Sequence, residues 1–495
     1  MRRRFERARP PILDVITAWQ EGPPPVLPDE VPDDGRTIRW AAGALDGVQS
    51  RDGDPARGAA LAALIERAAA GDAQATGALY EAARADGIVR ALDEALDALE
   101  RADVRRAPVA ELGRRMVRQA QHREPLKLAV ALVGRAGDGD DVPVLETLAR
   151  HDEFSVVAGA ALANVLGDPV QAWWRVGCLA TGWGKVEAVT RLAAAPSLPE
   201  DVRAWMLRHG CENEVLPEYL AFACATSGRL EDALDGLVDD ELLDGACTIV
   251  RALVNGGPAE DIADYEPGPR VTAAVVELVG ERPPSVGRLT AVVDIRRWAE
   301  DFEEHVAIAE RCGRVLDRPT GRAFVTARLE RPDAALDVWP IAEAMGLDPW
   351  EPGWRHLHDA PEDSGLYRRL AQTPSAERFA RVMDFAERAL PLARLASGPR
   401  DRLLPPAELR EPSAALAALV QEMRPGRWSA PLLAAGLLSP VISTRNAALH
   451  ALESTDPASW GPGVRPALRR LALEEPTEDV RARARAQLGR TATGS

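Results

Sequence analysis

PVISTRNAALHAL, at residues 440–452, returns 36 residues later as PTEDVRARARAQL, at residues 476–488. The first proline, the arginine and the final leucine hold the same places in both copies. A segment that returns at a fixed interval of this size predicts a repeated structural unit, and the alanine-rich half of each copy favours a helix.

A second match spans most of the chain. PVLETLA at residues 143–149 corresponds to PALRRLA at residues 466–472, and a short acidic turn follows each. Helices of small residues come next, VVAGAAL at 156–162 and VRARARA at 480–486, with one residue of offset. The same helix–turn–helix unit is therefore predicted near both ends of the sequence.

These patterns resemble the HEAT repeat, in which a helix, an acidic turn and Val-Arg precede an alanine-rich helix ending in Leu or Leu-Gly. Residues 479–489 and 151–167 carry the resemblance, and Asp201-Val202-Arg203 is a weaker third instance. The resemblance implies an all-α superhelical solenoid of stacked antiparallel helix pairs, with about eleven or twelve pairs. An irregular helical protein and two hinged helical domains stay open as alternatives.

Further helices are predicted at residues 55–70, 89–102, 124–136, 142–150 and 155–166, with short Gly, Pro and Asp breaks between them and no sustained β pattern. The predicted organisation has six parts. They are an N-terminal arm with a short helix (1–21), a Pro- and acid-rich linker (22–50), a first helical array (51–255), a Pro/Gly-rich hinge region (256–285), a second array (286–488) and a frayed tail (489–495).

Composition limits the classes of function. The net charge of −16 argues against general nucleic-acid binding, which needs a basic surface. The five cysteines are odd in number and show no paired spacing, which is typical of proteins of a reducing cytoplasm. The longest apolar stretch, 431–442, is too short to cross a membrane. We expect a cytoplasmic protein without a membrane segment, and the Ala/Arg-heavy composition fits a bacterial source.

Candidate chemical sites are incomplete. His209 and Cys211 are soft-metal ligand types but lack two further ligands at suitable spacing, so no metal site is predicted. His356 and His358 are predicted to lie in a Trp-anchored loop. Residues 182–185 (GWGK) lack the spacing and preceding strand of a P-loop and are predicted to form an inter-helix turn. No nucleophile elbow or catalytic triad is indicated, so neither catalytic residues nor a cofactor are predicted.

Charge is segregated along the chain. Residues 212–266 contain fourteen Asp or Glu against two Arg, a net of −12, whereas residues 101–123 contain seven Arg against two acids. Asp239, Asp240, Glu241 and Asp244 form the densest acidic cluster. Unless distant arginines fold back onto them, these four carboxylates must face solvent or a cationic partner, and we predict that they bind a basic partner protein.

The sequence therefore favours a non-catalytic protein-binding scaffold or adaptor, and a narrower version is an inhibitor or immunity-type protein that masks a basic toxin. The alternative is a HEAT-like nucleic-acid-binding protein or base-excision-type enzyme. Helical-repeat proteins of that kind, which this chain resembles, use a basic concave groove, and residues 101–123 are the candidate for it here.

Overall fold

A computed structural model describes residues 9–30, 41–44 and 53–492 of the chain. The structure is 70% helical, and the described residues form 28 helices and no strand. The predicted all-α class is therefore confirmed. None of the described helices has both the length and the apolar character needed to cross a bilayer.

Contacts between Cα atoms divide the chain into two compact units, and the division along the sequence falls between Val315 and Leu316. The helices of the first unit are α1 (Ile12–Ala18), α2 (Pro55–Ala69), α3 (Ala73–Ala83), α4 (Val89–Arg101), α5 (Arg106–Gln119), α6 (Arg123–Ala136), α7 (Val142–Ala149), α8 (Asp152–Leu166), α9 (Pro169–Leu179), α10 (Trp183–Ala193), α11 (Glu200–Trp205), α12 (Ala221–Ser227), α13 (Leu230–Leu234), α14 (Asp240–Asn255), α15 (Gly268–Glu281), α16 (Val286–Glu300) and α17 (Val306–Leu316), which ends at the boundary.

The second unit contains the remaining helices. They are α18 (Pro319–Leu329), α19 (Ala335–Ala344), α20 (Trp350–Asp359), α21 (Ser364–Ala371), α22 (Ala376–Ala389), α23 (Leu392–Leu395), α24 (Arg410–Gln421), α25 (Ala430–Leu437), α26 (Ile442–Glu453), α27 (Val464–Glu474) and α28 (Glu478–Ala492).

Helix packing is local in sequence. In the first unit α2, α4, α6, α8, α10, α12, α14 and α16 form a series in which each helix packs on the next. In the second unit α24, α26 and α28 do the same, and α25 packs on α27. The hydrophobic core lies between the helices that pack in this way. Residues 125–134 of α6 are all buried, because neighbouring helices surround α6.

The predicted N-terminal helix is confirmed as α1, and the chain after it is held against the first unit. Leu27 is 2% exposed, and the Asp29 carboxylate accepts the backbone N–H of Arg123 at 2.9 Å. The predicted linker residues 31–40 and 45–50 and the tail residues 493–495 lie outside the described residues. The predicted hinge range lies inside the first unit, and half of it is α15.

Arginines near the start of several helices secure the preceding turn. The Nη1 of each arginine donates to the carbonyl of the residue directly before a proline. That carbonyl is not hydrogen-bonded within the helix that follows, so the arginine satisfies it. The pairs are Arg445 with Ser439 at 2.8 Å, Arg481 with Glu475 at 2.9 Å, Arg203 with Leu198 at 2.6 Å and Arg288 with Pro283 at 3.2 Å. The arginines that recur in the sequence thus share a contact.

Candidate functional site

The acidic cluster predicted to bind a partner lies at the N-terminus of α14. Asp239 precedes the helix and accepts the backbone N–H of Leu242 at 2.7 Å, which makes it the N-cap. Asp240, Glu241 and Asp244 follow in the first turns, and negative charge in the first turn favours the helix dipole. The four side chains are 55% to 65% exposed.

Arg288, from α16, holds two of these carboxylates. Its Nε donates to Asp244 at 2.6 Å and its Nη2 to Asp240 at 3.0 Å. Burial opposes the charge of this guanidinium, but the hydrogen bonds to Asp244 and Asp240 outweigh burial and raise the pKa of Arg288. The sequence prediction that Asp240 and Asp244 share one helix face is confirmed.

Arg208 and His209 hold the other two. Arg208 Nη2 donates to Asp239 at 2.8 Å, and this hydrogen bond is the main reason that the pKa of Asp239 is lowered. Glu241 lies 3.7 Å from Arg208 Nε and 3.3 Å from His209 Nε2. All four carboxylates therefore have partners within the chain.

A π-helical turn at Met206–Gly210 brings these basic residues to α14. Helix α14 passes very close to the turn, so that a Cβ at Gly245 would collide with the carbonyl oxygen of Leu207. Glycine at this position permits the approach, and the approach places Arg208 and His209 beside the start of α14.

Distant arginines thus fold back onto the cluster. Arg208 is 31 residues from Asp239, and Arg288 is 44 residues from Asp244. The sequence analysis left open whether distant arginines fold back onto these carboxylates, and helix packing brings Arg208 and Arg288 to them. Binding of a basic partner by this cluster stays a prediction.

An acid-lined groove of about 330 Å³ lies nearby, between α12, α13 and the segment before α15. Phe222 and Tyr265 contribute its aromatic surface. Burial, and to a smaller extent the negative charge of Glu231, raises the pKa of Tyr265 to about 12. Its carboxylates are Glu231, Asp232, Asp264 and Glu266. Sequence reasoning missed this groove, although the acid count of residues 212–266 was a signal for it.

Half of the acidic residues in 212–266 form no ion pair in the described part of the chain. Glu231 and Asp235 face Arg270, Asp232 faces Arg229, and the α14 cluster faces Arg208, His209 and Arg288. The seven others form no ion pair among the described residues, and two of them, Asp261 and Asp264, accept backbone N–H groups. The seven are Glu212, Glu214, Glu218, Glu260, Asp261, Asp264 and Glu266. This segment therefore carries surplus negative charge.

His209 and Cys211 turn to different neighbours. His209 faces Glu241, whereas the buried Cys211 thiol lies 3.5 Å from the Pro217 carbonyl. Burial raises the pKa of the Cys211 thiol well above its usual range. The described residues contain no group of three or more His, Cys, Asp or Glu that could hold a metal ion.

The prediction that residues 182–185 (GWGK) form an inter-helix turn is wrong for three of the four residues. Gly182 is the N-cap of α10, and Trp183, Gly184 and Lys185 form the first turn of that helix. Gly184 donates its N–H to the Asp152 carboxylate at 3.2 Å, so the first turn of α10 holds a carboxylate of the protein itself. Lys185 lies over the Trp205 ring at 5.8 Å, and burial lowers the pKa of its ammonium group.

The basic residues in 101–123 are largely neutralised. Arg101 pairs with Glu94, Arg114 with Asp138 and Asp141, Arg118 with Glu111, and Arg123 with Asp29 and Glu153. Four of the seven arginines therefore meet carboxylates, which weakens the case for a phosphate-binding channel there.

His356 and His358 lie in helix α20, so the predicted loop is wrong. Pro349 directly precedes the helix and Pro352 lies in its first turn, where proline is tolerated. His356 is buried with Nε2 2.8 Å from the Leu329 carbonyl, whereas His358 is exposed against Trp354 and Phe385.

Comparison of the chain with protein-family models, curated proteins and solved structures finds no match.

Proposed function

We propose that the protein is a non-catalytic scaffold or adaptor that binds a basic protein partner through the acidic surface of residues 212–266. The observation that carries the proposal is the set of seven acidic residues in this segment that form no ion pair among the described residues. Uncompensated charge of one sign steers and holds a surface of the opposite sign.

Apolar groups within this surface favour a protein partner over a simple counterion. Leu237, between Asp235 and Asp239, is 100% exposed, and Leu216 is 44% exposed. Phe222 and Tyr265 line the acidic groove. Arg229 also lines the groove and pairs with Asp232, and Glu231 pairs with Arg270, so Asp264 and Glu266 are the groove carboxylates that form no ion pair among the described residues. Together with the aromatic surface they suit a lysine or arginine side chain, whose apolar stem and charged head meet both kinds of surface.

We further propose that the helices form a HEAT-like solenoid. Local packing of alternate helices and the recurring arginine–carbonyl contact at proline turns support this arrangement. The described cysteines are all free thiols, which supports a reducing cytoplasmic location.

The test removes surplus charge without breaking an ion pair. Glu212→Gln, Glu260→Gln and Glu266→Gln are combined in one variant, since all three side chains are exposed and have no ion pair. The matched control is Glu66→Gln, Asp93→Asn and Asp97→Asn, three exposed carboxylates outside the acidic segment.

Tagged wild-type protein is cross-linked in cells of its source, and the captured proteins are identified by mass spectrometry. Association of the captured partner is then measured at low and high salt. We expect the acidic-segment variant to associate about tenfold more slowly than the control, with the difference shrinking as salt rises. Equal association of both variants at every salt concentration contradicts the proposal.

A further inference from the structure

The corner between α16 and α17 carries an exposed aromatic surface. Trp298 lies in the last turn of α16, and Phe302 and His305 follow in the short connection to α17. The three rings pack against one another, with centroids 4.5 to 6.0 Å apart. Phe302 is 44% exposed, and Val306 at the start of α17 is 57% exposed. These four residues are called the aromatic corner below.

The aromatic corner has the properties of a binding surface. Adjoining apolar side chains that are exposed and rimmed by polar groups mark interaction sites, whereas single exposed leucines do not. His305 stacks on Trp298 at an interplanar angle of 29°, so these rings hold each other in place. Little side-chain entropy is therefore lost when a partner covers them.

Negative charge surrounds the aromatic corner. Residues 294–310 contain six acidic residues and two arginines. Asp301, Glu303 and Glu304 flank Phe302, and all three are exposed and form no ion pair among the described residues. Negative charge ahead of α17 also favours the dipole of that helix, but this role does not require exposed rings between the carboxylates.

The two arginines of this region are paired with carboxylates of α16 itself. Arg296 Nε donates to Glu300 at 2.7 Å, and Arg297 Nη1 donates to Asp294 at 3.3 Å. The surplus charge beside the exposed rings is therefore negative, and it complements a cationic partner.

Other tryptophans of the chain indicate which cation such a ring accepts. Arginines of the chain lie 4.7 to 5.7 Å from the ring centroids of Trp19, Trp173, Trp350 and Trp354. Among the described residues, no arginine or lysine lies over Trp298 or Phe302. The aromatic corner thus offers an arginine of another protein the kind of ring that arginines of this chain cover elsewhere.

We propose that the aromatic corner binds an arginine-bearing segment of a partner protein. The planar guanidinium stacks on the exposed rings, and its N–H groups donate to the three flanking carboxylates. Arginine is preferred to lysine, because its planar fork contacts a ring and a carboxylate at the same time. The aromatic corner lies outside residues 212–266, so this proposal does not depend on the proposed function.

The probes are three peptides of about ten residues in which glycine alternates with arginine, with lysine or with glutamate. Each carries a central photo-cross-linker and is titrated against the full chain. Mass spectrometry measures the yield of cross-links to residues 296–310 alone. Binding to residues 212–266 therefore does not enter the measurement, and failure of the proposed function leaves it unchanged.

Two variants separate the contributions of charge and ring. The first combines Asp301→Asn, Glu303→Gln and Glu304→Gln, which removes the charges and keeps the size of the side chains. The second, Phe302→Leu, removes the exposed ring and keeps an apolar side chain. Circular dichroism checks that both are folded. The matched control for the first variant is Glu66→Gln, Asp93→Asn and Asp97→Asn, at three exposed carboxylates elsewhere in the first unit.

We expect the arginine peptide to reach half-saturation at a concentration at least about threefold lower than the lysine peptide, and the glutamate peptide not to cross-link. Removing the three charges should raise the half-saturating concentration of the arginine peptide about tenfold, whereas the control should leave it unchanged. Phe302→Leu should abolish the preference for arginine over lysine.

Several results overturn the proposal. They are equal cross-linking by the arginine and lysine peptides, equal half-saturation in the charge variant and its control, and an unchanged arginine preference in Phe302→Leu. Self-association is measured in parallel by sedimentation. If the chain self-associates and Phe302→Leu abolishes this, the aromatic corner is an interface with a second copy, which also overturns the proposal.

Discussion

At the level of single residues, arginine side chains donate hydrogen bonds to backbone carbonyls and carboxylates that lie in the turns between helices. Arg445 and Glu475 are both 0% exposed and are joined by hydrogen bonds of 2.6 and 2.9 Å. Arg445 also donates to the carbonyls of Ser439 and Arg400. A buried guanidinium keeps its charge only when its donors are satisfied in this way.

Replacing Arg445 by methionine should lower the free energy of unfolding by about 3–5 kcal/mol, because Glu475 would remain buried without a counter-charge. Urea denaturation measures the loss. Arg470→Met, which breaks an ion pair about half exposed, should cost less than about 1 kcal/mol. Adding Glu475→Leu to the Arg445→Met variant should restore most of the stability, and failure to restore it would contradict this explanation.

Thiol reactivity should separate Cys178 from the other cysteines. Burial raises the pKa of Cys224, Cys247 and Cys312 to about 12, so almost no thiolate forms near neutral pH. Cys178 is exposed, although partial burial also raises its pKa. We expect a disulfide reagent at about pH 8 to modify Cys178 first and all five thiols only after unfolding. Rapid modification of Cys224 in the folded protein would show that its helix opens.

The ion pairs of the acidic cluster could not be predicted from sequence. Asp239 and its neighbours are recognisable as helix-capping residues, because a cap depends on positions two or three residues away. Arg208 and Arg288 reach them through packing of the π-helical turn and α16 on α14. The identity of the distant arginine that pairs with each carboxylate depends on tertiary contacts, such as the close approach of the π-helical turn to Gly245.

At the level of helices, most boundaries follow from local signals. Helix α2 begins at Pro55 after the Asp54 cap, and sequence reasoning placed that start correctly. Helix α20 was missed because two prolines near its start resemble a loop, although proline is compatible with a first helical turn.

Protonation of His151 should loosen the N-terminal arm. Its Nε2 lies 3.3 Å from the Pro25 carbonyl and its Nδ1 accepts the N–H of Glu153. Burial lowers the pKa of His151, and the Pro25 carbonyl, Glu153, Asp152 and Glu30 offset only part of this effect. Because the folded pKa is below the unfolded value, stability is present above about pH 6.5 and is lost as pH falls toward the folded pKa.

We therefore expect limited proteolysis near Pro25 to rise as pH falls from about 7 to about 5. Over the same range the protection of the α1 amides against hydrogen exchange, taken relative to the intrinsic exchange rate at each pH, should fall. A His151→Gln variant should lose most of this pH dependence. His450→Gln, at a histidine 84% exposed, is the control and should retain it. If the wild type, His151→Gln and His450→Gln proteins release the arm identically as pH falls, groups other than His151 cause the pH dependence.

At the level of the whole molecule, each helix packs mainly on helices close to it in sequence. Charge is distributed unevenly, since residues 212–266 carry most of the excess negative charge. Composition and repeats were sufficient to predict an all-helical protein, because helix propensity and turn chemistry act over a few residues. The division after Val315 could not be predicted, because it depends on which helices stop packing on their neighbours.

A chain in which each helix packs mainly on its near neighbours should confine a local defect. Leu132 in α6 and Leu449 in α26 are both 0% exposed. Truncating either to alanine should cost about 2–5 kcal/mol locally. In a solenoid the stability of each repeat depends on itself and on its adjacent repeats.

Hydrogen exchange with mass spectrometry should therefore show faster exchange in α4, α6 and α8 for Leu132→Ala and no change in α24, α26 and α28. Leu449→Ala should give the converse pattern, and the two variants serve as controls for each other. If either substitution accelerates exchange equally in every helix, the protein unfolds as one cooperative body, and the solenoid arrangement loses its main physical support.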